Sequence, residues 1–144
     1  MNILSIVISI FIFLEMLNVI ILYFAPTSKK GNGVGIFDAY EKSKAIPEVH
    51  LLIKYLINWV AGTKIIFIAL LSIILFIGDP TTILYSTIAL IITISTFFWR
   101  LYPLIAKMDK ENALNPKGYS KTLGIMIFGF ILVFVVALCV HLFI

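Results

Sequence analysis

Seven side chains that can carry charge or exchange hydrogen bonds interrupt the apolar runs of this chain: Glu15, Asn18, Asn58, Lys64, Thr93, Thr96 and Arg100. Glu15 and Asn18 are three residues apart and share a face if the segment is helical. A carboxylate, two bases, amides and hydroxyls held together in an apolar medium make an ion-paired pocket. In such a pocket the acid responds to protons and the bases hold an anion. No nucleophile with a neighbouring base accompanies them, and no Ser/His/Asp motif is present. Cys139 is the single cysteine, which excludes an intrachain disulfide and a cysteine metal cluster. His50 and His141 belong to opposite membrane faces, about 30 Å apart if the spans cross fully, so one metal or haem cannot take both. No metal and no cofactor is expected. A non-catalytic role is favoured over an intramembrane lipid-modifying enzyme that uses Glu15 as acid and base.

The elements that must position these residues follow from composition. Of 144 residues, 62% are hydrophobic and 12% charged, against roughly 25% charged in a soluble domain. An aromatic content of 14% excludes disorder. Crossing ~30 Å of hydrocarbon takes about 20 mostly apolar residues in a helix. Four runs qualify, at about 3–25, 47–78, 81–107 and 119–144. The expected fold is therefore all-α and integral to the membrane: one domain, a four-transmembrane-helix bundle. Pro26 stops the first run and Gly78-Asp79-Pro80 the second. Connections are expected at 26–46 and 108–118, with a tight turn at 78–82. The first run carries Glu15 in its middle and has neither a basic leader nor a small-residue cleavage site, so a retained helix is expected rather than a signal peptide.

The net charge of +4 is topological. Lys29, Lys30, Lys42 and Lys44 lie in the first long connection; Lys107, Lys110, Lys117 and Lys121 flank the second. The remaining bases, Lys54, Lys64 and Arg100, are nearer these connections than the opposite face. The positive-inside rule makes that side cytoplasmic, with both termini outside and the anionic inner leaflet of a cell membrane as a partner. No basic stripe interleaved with aromatics lies outside the lipid, so nucleic acid is not an expected partner.

Within the third run, Thr82, Ser86, Ala89, Thr93, Thr96, Arg100, Pro103 and Lys107 recur in alternating steps of four and three. This spacing predicts a packed helix contact, with Ile, Leu and Phe turned to lipid. His50, Lys54, Asn58 and Gly62 form a second polar-to-small stripe. Gly31, Gly33 and Gly35 resemble a phosphate-cradling turn only superficially, since neither the preceding strand nor the following helix N-terminus is present. A flexible loop is expected there. Ile36, Phe37 and Tyr40 beside Lys42 and Lys44 suggest a short amphipathic piece on the membrane surface.

Depths by helical rise put Glu15 about 15 Å, Lys64 about 12 Å and Arg100 about 10 Å from the basic side. Glu15 is too short to reach water, so it is expected to pair with Arg100 or Lys64. Asn18, Asn58, Thr93 and Thr96 would complete a pocket open to the cytoplasm. The simplest alternative is an ion pair that only fixes helix register. Span count and Glu15 are similar to the small multidrug resistance exporters, but Lys64 and Arg100 would repel the cationic substrates that likeness implies. The expected function is to bind or transport a small anionic solute or lipid headgroup. The competing expectation is an accessory, regulatory or immunity-type subunit that docks a partner membrane protein, or a second copy, through small-residue faces.

Overall fold

A computed structural model describes residues 2–143. The chain is all-helical, with four helices long and apolar enough to cross a membrane. In order these are α1 (Ile3–Phe24), the short α2 (Asp38–Ser43), α3 (Pro47–Ile77), α4 (Pro80–Lys110) and α5 (Tyr119–Phe143). Ile144, the expected end of the last span, lies outside the described residues. Local chemistry sets the ends. Asn2 Oδ1 accepts from Ser5 N at 2.9 Å, and Asp79 Oδ1 accepts from Thr82 N at 2.6 Å, each occupying an N–H that has no helical partner. Pro47 and Pro80 open α3 and α4, where a missing N–H is harmless. Asp109, near the end of α4, caps α5 by accepting from Gly118 N at 2.8 Å, Ser120 N at 3.1 Å and Ser120 Oγ at 2.5 Å.

Packing differs between the two ends of the bundle. At the Gly78–Asp79 turn end, one core joins all four long helices: Leu4, Ile8 and Phe11 of α1, Leu71 of α3, Ile83 and Leu90 of α4, Phe134 and Ala137 of α5. Phe11 meets the rings of Phe67, Phe130 and Phe134 edge-on at 5.4–6.2 Å. Towards the basic end the bundle divides. Val19 and Leu22 of α1 pack with Ile57, Ala61 and Ile68 of α3, whereas Ile105 of α4 packs with Leu123 of α5. α3 rests on α1 and α4 on α5, while α3 and α4 touch little.

The two long connections close that end. Ile36 and Leu114 are buried together with Ile105 and Leu123. Asp38 N donates to Ala113 O at 3.1 Å and Asn115 N to Ile36 O at 2.8 Å. The segment expected to be a flexible loop is therefore folded. Val34 N and Gly35 N both donate to Pro26 O, at 2.9 and 3.1 Å. A Cβ on Gly35 would strike the Thr27 carbonyl, and Gly31 adopts a φ of +62° against Ile21. The glycines serve a tight chain reversal rather than an anion. The expected amphipathic piece exists as α2, but it turns Tyr40 into the protein against α3. Ser43 Oγ donates to Tyr40 O at 2.7 Å and lies 2.8 Å from His50 Nδ1, which docks α2 on the first turn of α3.

The third-run seam is corrected. Thr82, Ala89, Thr93, Thr96, Arg100, Pro103 and Lys107 are exposed, and Ser86 is half-buried. The buried side of α4 is Ile83, Thr87, Leu90 and Ile105. Larger apolar side chains bury more area per residue and take the interior. The seam threonines need no neighbouring helix to satisfy their hydroxyls, which bond back to their own helix as that of the buried Thr87 does: Thr93 Oγ1 to Ala89 O at 2.8 Å and Thr96 Oγ1 to Thr93 O at 2.6 Å.

Candidate functional site

Dividing the bundle leaves a cleft between α3 and α4, floored by α1. One part, about 510 Å³, runs from Asn18 and Lys64 down past Ile57, Leu104 and Ile105. Asn32, Val34 and Phe37 of the folded connection form its wall at the basic end. A second part, about 600 Å³, lies nearer the Phe11 core and is lined by Glu15, Trp59, Thr63, Lys64, Phe67 and Thr93 among others. Val60 and Lys64 line both, so the two parts adjoin. Each volume falls within the ~300–1,000 Å³ usual for small-molecule sites. The apolar lining residues most open to the surroundings are Trp59 of α3 and Leu101 and Leu104 of α4, exposed by 62%, 60% and 62%. The cleft thus opens sideways, between the flanks of α3 and α4.

Lys64 and Glu15 meet where the two parts join. Nζ donates to Oε2 at 2.5 Å, with side-chain exposures of 26% and 21%. The geometry follows from antiparallel packing of α1 on α3, which puts the middle of one helix beside the middle of the other. Each of these charges is compensated by the other. Both retain unused hydrogen-bonding capacity among the described residues, because an ammonium has three donors and a carboxylate about four lone-pair sites. One turn along α1, Asn18 is 8% exposed, and its amide nitrogen donates to the Gly31 carbonyl. That carbonyl can only accept, so the amide orientation is set. Asn18 Oδ1 has no hydrogen-bond partner among the described residues.

Of the seven residues singled out in the sequence, the fold brings Glu15, Asn18, Lys64 and Thr93 to the cleft. It does not bring Asn58, Thr96 or Arg100 there. Asn58 is exposed on another side of α3 and donates to Lys54 O at 2.8 Å, within its own helix. Arg100 is exposed, lies 5.5 Å from the Trp99 ring centroid, and has no carboxylate within ion-pair distance among the described residues. Of the two partners expected for Glu15, Lys64 is the one found. An anionic ligand was expected because Arg100 and Lys64 would act together; in the fold only Lys64 reaches the cleft, and Glu15 already balances it. Sequence reasoning missed the apolar lining, especially Val34 and Phe37. Its one available signal was the alternation of Gly31, Gly33 and Gly35, the mark of a chain doubling back to bring those side chains under the bundle.

Compared with known proteins, the chain matches no family model, no curated protein and no solved structure. The chemistry of the cleft has to speak for its function.

Proposed function

We propose that this polytopic membrane protein binds a membrane amphiphile in the cleft between α3 and α4. The chain of such a molecule lies along the Leu and Ile lining, and its polar end reaches Lys64 and Glu15. The supporting observation is the division of the bundle into two packed halves at one end only, with a lateral opening edged by Leu101 and Leu104. A lateral mouth of this composition matches acyl chains better than an aqueous solute. In the same proposal the basic end is cytoplasmic. From Ile57 to Ile77 and from Pro80 to Arg100 is about 30 Å at helical rise, so Leu101 and Leu104 stand within about a turn of the basic-side boundary and a chain enters the cleft from that interface. Tyr55, Trp59, Trp99 and Tyr102 then fall near one membrane surface, as amphipathic rings prefer.

Native mass spectrometry of the full chain, released from a mild detergent, tests this. Wild-type protein is expected to retain a lipid-sized mass, and Val60→Trp, which fills the position shared by both parts of the cleft, is expected to lose it. Absence of a retained mass, or equal retention by the variant, overturns the proposal.

A second reading, an accessory subunit that docks another membrane protein, draws on the exposed seam of α4 from Thr82 to Lys107, of which Thr93 also lines the cleft. Its signature is a partner in stoichiometric amount after mild extraction, lost when Ala89 and Thr96 are both changed to Leu.

A further inference from the structure

We infer that the Glu15–Lys64 pair is a headgroup site for a neutral amphiphile bearing a free hydroxyl, such as a long-chain alcohol or an acylglycerol. The inference rests on the cleft being a lipid site and concerns which headgroup it selects. Three features of the site carry it. First, Lys64 lines both parts of the cleft and Glu15 lines the second beside it, so a chain in either part can bring its polar end to the pair. Second, the pair offers both kinds of partner. Lys64 has N–H donors beyond the one bound to Glu15, and Glu15 has spare acceptor sites. A hydroxyl is donor and acceptor at once and can bridge them; an ether or a hydrocarbon end cannot. Third, the charges already balance. An anionic head would compete with Glu15 for Lys64 and place two negative charges against one positive in a low-dielectric layer, leaving one of them uncompensated. Among the described residues no other cation lines the cleft, and Arg100 and Lys54 are exposed outside it. Asn18 adds to this. Its unpartnered Oδ1 lies one helical turn from Glu15, so the only unsatisfied buried side-chain atom among the described residues is an acceptor. An acceptor calls for a donor, which a fully ionised phosphate or carboxylate does not bring.

The experiment uses full-length protein in phosphatidylcholine nanodiscs and three photoreactive probes of one chain length: a diazirine-bearing hexadecanol, its methyl ether, and hexadecyl phosphate. Labelling is mapped to peptides and challenged with the matching unlabelled compound. The alcohol is expected to label α3 and α4 at the cleft, around Val60 and Leu104, about tenfold more than the ether or the phosphate, the worth of one hydrogen bond to a charged group. The double variant Glu15→Met/Lys64→Met, which leaves neither donor nor acceptor at the pair, is expected to keep cleft labelling but lose the preference for alcohol over ether. Equal, competable labelling by all three probes overturns the headgroup inference and leaves the lipid cleft intact, as does a preference for the phosphate. No competable labelling of the cleft by any probe overturns both. The wild-type series decides the matter even if the double variant fails to fold.

Discussion

Lys64 Nζ stands 2.5 Å from Glu15 Oε2 across 49 residues of sequence, and the contact ties the middle of α3 to the middle of α1. It is a long-range pair in an apolar setting. Losing one member leaves the other without its counter-charge, whereas losing both removes the problem. Glu15→Gln or Lys64→Met alone is expected to destabilise by about 3 kcal/mol, and the double variant by clearly less than the sum. Unfolding in mixed micelles measures this. Simple additivity would mean the two groups do not depend on each other.

Arg100 supplies a contrast. It faces outward beside Trp99, and an exposed cation–π contact is worth about 0.5–1 kcal/mol. Arg100→Ala is expected to cost no more than that, and a double-mutant cycle with Glu15→Gln should give coupling near zero. A large coupling energy would place Arg100 in the charged layer after all.

Gly35 is where the first long connection doubles back, with no room for a Cβ beside the Thr27 carbonyl. Gly35→Ala is expected to unseat this connection and speed tryptic cleavage at Lys29 and Lys30 several-fold, while α1 and α3 stay protected. Unchanged cleavage would show that the reversal does not hold the segment.

Asp79 begins α4, and its hydrogen bonds from Thr82 hold its carboxyl below the usual carboxylate range. A carboxyl depressed in the folded state contributes stability above its unfolded pKa and loses it as pH falls through the lower folded value. Thermal stability of the wild type is therefore expected to drop through that acidic window more than that of Asp79→Asn, which cannot titrate. Parallel pH profiles would assign the loss to other acids.

The four spans were legible because hydrocarbon imposes its demands locally: length, apolarity and turn residues such as Pro26 and Gly78-Asp79-Pro80 lie within each segment. Glu15's need for a partner was legible for the same reason, since its burial depth follows from its place in one helix. Which base answers it was not. Lys64 and Arg100 lay at similar depths, and only the azimuth at which α3 and α4 pack separates them. Periodicity misled for α4, because a seam of threonines looks like a contact face until the hydroxyls are seen bonding to Ala89 and Thr93 of their own helix. Periodicity says which residues share a face, never which neighbour that face meets. The cleft is likewise a tertiary product. It exists because α1 pairs with α3 and α5 with α4, while one end of the bundle closes into a common core and the other does not. A segment's own residues determine that it spans a membrane, but the space left between spans depends on surfaces contributed by all of them.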